Sequence, residues 1–312
     1  MTSRSTTRAR VEQAGQAPRP LLIALALGIV YVVWGSTYPA IRVVVEDMPP
    51  FLPAGARFTA AAVLLAAGLA ARYGPRHLAV SPRQLGGCAV VGLLLPAGGN
   101  GLVTLGESRD VPAGVAALLI ASVPLWVIVL RSTTGDRPGA RTVAGVLLGF
   151  AGLAGLTLTT GLSGTVSFGG SALILLAALS WSLGSWAQPR LPLPKEPFVM
   201  AVYEMLAGGI ALMLAGAVAG ESIHVSEYST GSILAWAYLV VFGSIVAFTA
   251  YIWVLQHAAI SLVATYAYVN PVVAVTLSWL VLSEPVTLPI AVAGAVVVGS
   301  VALVVSSERA TA

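Results

Sequence analysis

Long apolar stretches follow one another along this chain, and the segments between them are too short to fold by themselves. They fall at 21–45, 51–72, 85–105, 111–131, 141–160, 169–188, 197–219, 231–256, 260–283 and 286–306. About 20 such residues are needed to cross the hydrocarbon core of a bilayer. Backbone polar groups there must be satisfied within the segment, which leaves the helix as the local solution. The reading is an all-α membrane protein with ten transmembrane helices. The separators carry turn and charge signals, among them Glu46-Asp47-Met48-Pro49-Pro50, Tyr73-Gly74-Pro75-Arg76, Gly135-Asp136-Arg137-Pro138-Gly139 and Pro192-Leu193-Pro194-Lys195. Charged residues make up 9% of the chain against 57% hydrophobic, far too few to solvate a water-soluble surface.

The basic residues set the orientation. With the N-terminus inside, Arg4, Arg8, Arg10, Arg19, Arg72, Arg76, Arg83, Arg131, Arg137, Arg141, Arg190, Lys195 and Arg309 all face the cytoplasm, 13 of the 16 basic residues. The outward segments hold Glu46, Asp47, Glu107, Asp110, Glu221, Glu227 and Glu284, with Arg109 the basic exception. Residues 1–20 and 307–312 are then cytoplasmic tails of a multi-pass protein of the cytoplasmic (inner) membrane. The basic start could pass for a signal peptide, but its apolar run is too long and no cleavage site convinces. It reads as an uncleaved first span.

The chain also matches itself. Gly114-Val115-Ala116-Ala117 leads to Val123-Pro124, and Ser261-Leu262-Val263-Ala264 leads to Asn270-Pro271, with ten residues from first residue to proline in each. Gly35-Ser36 corresponds to Gly184-Ser185, and on the same offset Arg57 in span two lies opposite Glu204 in span seven. The halves are 21–160 and 169–306. Five spans is an odd number, so the expected arrangement is an inverted 5+5 repeat, which suits a carrier that alternates between two open states. The stretch Trp34-Gly35-Ser36-Thr37-Tyr38-Pro39-Ala40-Ile41-Arg42, then Met48-Pro49-Pro50 and Arg57-Phe58, resembles the first repeat of the EamA family of the drug/metabolite transporter superfamily. Asn100-Gly101-Leu102-Val103-Thr104, Tyr203 to Gly209 and Tyr266 to Val275 look like its YedA-type inner-membrane members. That resemblance covers nearly all of 20–306. It implies ten helices, a central cavity and gradient-linked export of amino acids or amphipathic metabolites.

Ionisable groups inside spans are costly and few. Arg57, two turns inside span two, is a candidate for gating, with snorkelling to the interface as its alternative. Glu204, two turns inside span seven, is a candidate coupling site, with a structural hydrogen bond equally open. The two lie near opposite sides, which suggests alternate gates rather than one ion pair. Asn100, Thr104 and Glu107 share a face of span three. Trp34 and Tyr38 share one on span one, Trp181, Ser185 and Gln188 one on span six, and Tyr266 and Asn270 one on span nine. Trp34, Tyr38, Asn100, Trp181, Gln188, Tyr266 and Asn270 are the expected cavity lining, aromatic walls with a few polar handles. The aromatics could equally be interfacial anchors. Glycines such as Gly145, Gly149, Gly152, Gly208 and Gly209 are expected to let helices approach closely.

No nucleophile constellation, metal-ligand cluster or phosphate-binding loop appears, the single cysteine Cys88 forms no disulfide framework, and His77, His224 and His257 sit apart near helix ends. The expectation is therefore no enzyme, no metal and no cofactor. A secondary transporter that exports small amphipathic metabolites, amino acids or drugs by alternating access is the reading; uptake or exchange, a passive channel and a membrane-embedded enzyme are its alternatives. Its partners are the bilayer and a small-molecule substrate, with protons as candidate coupling ion. The basic residues are absorbed by topology, so nucleic acid is not expected. Both halves of a pathway lie in one chain, so no oligomer is required.

Overall fold

The computed structural model describes residues 20–135, 139–162, 166–258, 260–263 and 266–311. The arginines of the N-terminal tail, Asp136-Arg137 and Ala264 lie outside them. The described residues are helical, with short turns and no strand among them. The helices are α1 (Pro20–Asp47), α2 (Phe51–Tyr73), α3 (Pro82–Glu107), α4 (Ala113–Ser132), α5 (Ala140–Leu162), α6 (Phe168–Ala187), α7 (Pro197–Val218), α8 (Thr230–His257), α9 (Tyr266–Leu282) and α10 (Leu288–Thr311). Seven of them, α1 to α4 and α6 to α8, are long and apolar enough to cross a membrane. Three further apolar stretches, Ala140–Gly152, Val269–Leu282 and Leu288–Ser300, are shorter. The last helix runs on to Thr311, through most of the segment expected to be a tail.

Three helices depart from regular α geometry. Pro96 lacks the N–H that would bond one turn back, and around it α3 widens into π turns at Leu93–Gly101. The α8 helix does the same at Leu239–Val246 without a proline. Each widened segment gives one carbonyl to a side chain of the other half. Ser180 Oγ donates to Leu94 O at 2.8 Å, and Trp34 Nε1 donates to Gly243 O at 3.2 Å. Side chains inserted into a helix ladder distort it in this way. In α4 the chain breaks at Ala121–Ser122, just before Pro124, and Ser182 of α6 donates to Val123 O at 3.1 Å.

The loops sort into two ends. At one, Asp47 Oδ2 accepts from Ser229 N at 2.9 Å and Ser232 Oγ at 2.7 Å, Glu221 accepts from Phe51 N and Leu52 N, and Glu284 accepts from Ala113 N and Gly114 N. Gly170, near the start of α6, packs against Val111 at this end. At the other, Tyr203 Oη donates to Leu78 O at 2.6 Å, His77 lies 4.0 Å from Glu196, and Thr142 Oγ1 lies 2.7 Å from Ser307 Oγ. We call these the acidic and basic ends. Pro20 and Ser307 therefore lie at the basic end, whereas α6 starts at the acidic one.

The main packings are α2 with α7, α5 with α10, α1 with α9 and α8, α6 with α4 and α3, and α3 with α7, matched by α8 with α2. Exchanging the first five helices for the last five turns this set into itself. Glycine permits the closest approach: a Cβ on Gly209 would sit 2.9 Å from Gly55 O, and one on Gly208 would sit 2.5 Å from Gly92 O. Outward-facing side chains are large and apolar, such as Leu64, Leu147, Leu214 and Leu280. In water such a surface would be an aggregation liability; against lipid tails it is the matching solvent.

Candidate functional site

The site begins on α1. Trp34, Thr37, Tyr38 and Ile41 recur at helical spacing along one face and line a central cavity of about 50 Å³. Gly99, Asn100 and Val103 of α3, Ile120 of α4, Ala177 and Trp181 of α6, and Tyr266 of α9 complete it. Five of the seven residues expected in the lining are here: Trp34, Tyr38, Asn100, Trp181 and Tyr266. The indole of Trp34 holds the group together, with ring centroids 5.2 Å from Trp181, 4.8 Å from Tyr251 and 5.6 Å from Tyr266. Edge-on and tilted pairs of this kind contribute about 0.5–1.5 kcal/mol each beyond the area they bury.

Two expected lining residues stand elsewhere. Gln188, past the end of α6, lines a second cavity of about 570 Å³ at the basic end, with Ser185, Lys195, Met200 and Gln256, and its Nε2 lies 3.3 Å from Met200 Sδ. Helical spacing put Gln188 on the face of Trp181, but two turns of helix carry it past the central cavity. Asn270 is buried between α1 and α9 and is not among the central lining residues. With its amide oriented to suit its surroundings, Nδ2 donates to Tyr31 O at 3.0 Å and Tyr266 O at 3.2 Å. It ties the two helices that carry Trp34 and Tyr266.

Sequence reasoning missed Tyr251. Its hydroxyl lies 2.7 Å from Ser185 Oγ and accepts from Trp181 Nε1 at 3.0 Å, so it stands between the central and basic-end cavities. A phenol deep in an apolar span was the signal available. A third cavity, about 320 Å³, opens at the acidic end between Arg42, Glu46, Asp110, Pro112, Leu282 and Glu284. Between it and the central cavity, Arg42 Nη1 donates to Glu107 O at 2.8 Å. Three cavities thus follow one another through the molecule, separated by Tyr38, Ile41 and Glu107 on one side and by Tyr251, Trp181 and Ser185 on the other.

Arg57 is 3% exposed, so it does not snorkel to an interface. Its Nε donates to Ser244 Oγ at 2.8 Å and its guanidinium lies 4.6 Å from the centroid of the Phe58 ring. A Cβ on Gly243 would meet both Arg57 Nη2 and Thr37 Cγ2, so the guanidinium stands just behind the wall of the central cavity. Glu204 is fully buried and neither carboxyl oxygen has a hydrogen-bond partner among the described residues. Arg57 and Glu204 form no ion pair. Glu107, read among the outward loop residues, is instead fully buried at the end of α3, with both carboxyl oxygens equally without partners. No group of three or more metal-ligating side chains occurs among the described residues.

The chain matches the model of the EamA-like transporter family twice, over residues 21–158 and 168–306. It is 42% identical over 252 residues to a protein of Escherichia coli strain K12 described as the uncharacterized inner membrane transporter YedA, covering 81% of this chain and 80% of that one. A Bacillus subtilis protein described as the uncharacterized transporter YvbV is 26% identical over 92% of each chain. One solved crystal structure superposes with a TM-score of 0.67 over 92% of this chain and 98% of its own, at 21% identity, a likeness of fold.

Proposed function

The chain belongs to the EamA-like transporter family, and from that premise we propose that it is a ten-span secondary transporter that exports small amphipathic metabolites, amino acids or drugs across the cytoplasmic membrane. The observation that carries this is the line of three cavities, the central one walled by Trp34, Tyr38, Trp181 and Tyr266. A channel needs a continuous opening. A carrier needs a site closed on one side at a time, and here a constriction stands at each side of the central cavity. The two halves start at opposite ends and exchange their packing partners, which supports an inverted repeat and the alternating access it permits.

The central cavity holds a water molecule or two at about 50 Å³, whereas small-ligand sites run to ~300 Å³ and more. Substrate entry therefore requires α1 and α9 to part from α6. In this reading Trp34, Tyr38, Asn100, Trp181 and Tyr266 contact the substrate. Asn270 positions Tyr266, Gln188 lines the cytoplasmic approach, Arg57 braces the widened turn of α8, and Glu204 couples the cycle to protons.

A thermal-shift screen of the purified protein against amino acids, aromatic metabolites and cationic drugs tests it, because a ligand of the folded state raises its stability. A hit is expected to weaken at least tenfold in Trp34→Ala and to drive counterflow of labelled ligand in liposomes. A hit that binds Trp34→Ala as tightly as wild type, or that leaks without counterflow, overturns the reading.

A further inference from the structure

The structure carries a second buried carboxyl group that the proposed cycle does not use. Glu107 has no exposed surface, and neither Oε1 nor Oε2 has a hydrogen-bond partner among the described residues. The nearest cation is not spent on the carboxyl group: Arg42 Nη1 donates to the backbone carbonyl of the same residue at 2.8 Å. An acidic side chain held in an apolar interior with nothing to bond is expensive to keep. Its position is specific. Glu107 ends α3, seven residues and two turns beyond Asn100 in the central lining, while Arg42 and Glu284 line the acidic-end cavity beside it. The charged groups that act on it are Glu284 from the loop before α10 and Arg42 from α1, and its own charge in turn reaches Tyr38 on α1. Asp110 and Glu46 face the same cavity.

We propose that Glu107 is a proton-binding site that controls the closure between the acidic-end cavity and the central cavity, separate from Glu204 on α7.

The ligand is a proton rather than a metal ion because the site offers one carboxyl group and no cage. Hard cations take six or more oxygen ligands, or keep most of their water. Here the carboxyl group has no hydrogen-bond partner, and no group of three or more metal-ligating side chains forms, among the described residues. Protonated, Glu107 is neutral and the dry packing of Tyr38, Ile41 and Val103 is tolerable. Ionised, it must find water or a cation, and both lie on the side of the acidic cavity: water there, and the guanidinium of Arg42 one carbonyl away. Turning Arg42 from the backbone of Glu107 to its carboxylate breaks the bond that fixes α1 to the end of α3. Glu284 opposes the new charge from the far wall while also capping α4 through Ala113 and Gly114. Release of the proton thus loosens α1, α3 and the loop before α10 together.

This rests on the transporter reading only for its purpose, and its test needs no substrate. Dicyclohexylcarbodiimide adds the O–H of a protonated carboxyl group in apolar surroundings across one C=N bond to give an O-acylisourea. Its acyl group then shifts from oxygen to nitrogen, leaving a stable N-acylurea that peptide mass analysis locates. In the purified full-length protein, Glu107 is expected to label at acidic pH and to lose the label as pH rises. Glu107→Gln should abolish that label and leave the label on Glu204, Glu204→Gln should do the reverse, and Glu107→Asp should restore a labelled site. The gate is read separately with Ile41→Cys in a Cys88→Ala background, since Ile41 is buried at this closure. Maleimide reacts with the thiolate, so its rate rises with pH at any cysteine. Beyond that common rise, Ile41→Cys should speed up more steeply with pH when Glu107 is present than in Glu107→Gln. A Glu107 that never labels while Glu204 does, a label indifferent to pH, or an Ile41→Cys rate with the same pH dependence in the presence of Glu107 and in Glu107→Gln overturns the proposal. None of these outcomes touches the ligand screen, which stands or falls by itself.

Discussion

Glu204 sits against α3 where Gly92 leaves no room even for a methyl group: a Cβ there would lie 2.4 Å from Glu204 O. Its charge reaches Cys88 on α3 and Tyr251 at the inner constriction. Insertion of an ionised acid at mid-membrane costs ~2.5–3.5 kcal/mol, and no described hydrogen bond offsets it. A purely structural acid would have a donor; this one has none, which favours a group that trades its proton. Glu204→Gln keeps the volume and fixes the neutral state. The expected outcome in liposomes is unchanged exchange of substrate with loss of the accumulation driven by a pH gradient. Full pH-driven accumulation by this variant removes Glu204 from coupling. The residue scale is also where sequence reading reached furthest and then stopped. Helical spacing along one span gathered Trp34 with Tyr38. It could not say that Gln188 overshoots the cavity or that Asn270 turns its amide onto Tyr31 and Tyr266. Side-chain direction depends on the facing helix, which a single span does not contain.

At the level of helices, the acidic end is stitched by side chains that cross between halves. Asp47 holds the start of α8, Glu221 the start of α2 and Glu284 the start of α4. Each meets unpaired N–H groups at the positive end of a helix dipole. At the basic end the corresponding carboxylate, Glu196, caps its own helix through Val199 N at 2.6 Å. The difference makes the acidic end the latched one in this state, in keeping with the larger cavity at the other end. Loss of a cap costs about 0.5–2 kcal/mol. Glu221→Gln and Glu284→Gln together are therefore expected to lower the melting temperature and to raise maleimide labelling of Asp110→Cys in the acidic-end cavity. Labelling unchanged in the double variant would mean that these caps are not a latch. In the sequence these residues read only as acidic loops, because capping partners 170 residues apart leave no local pattern. The widened turns were equally hidden in α8, where Leu239–Val246 is a plain apolar run and the cause is an indole from α1.

For the whole molecule, the all-helical build and the two matched halves were legible, since apolar length and repeat spacing are properties of the chain itself. Helix limits fell within a few residues of the apolar stretches wherever a cap or proline marks them, as at Ser81, Ser167 and Ser229. Which way the molecule faces is a separate matter, decided by charge against the membrane. In the structure Tyr203 with Leu78, and Thr142 with Ser307, gather the loops bearing Arg72, Arg76, Arg83, Arg190 and Lys195 at the end where α1 begins. The clasps of Asp47, Glu221 and Glu284 gather the acidic loops at the opposite end. A positively charged loop resists translocation, so the basic end is expected in the cytoplasm with both chain termini. Reporter fusions check this at three points. A fusion after Ser307 and one at Arg190 should report the cytoplasm, and one at Gly220, where the backbone turns with φ of 74°, should report the far side. The three results must agree, because the hydrogen bonds between loops tie each reporter to its end of the molecule. A fusion at Gly220 on the same side as one after Ser307 would separate α7 and α8 from the alternation and remove the inverted repeat on which exchange between the two open states depends.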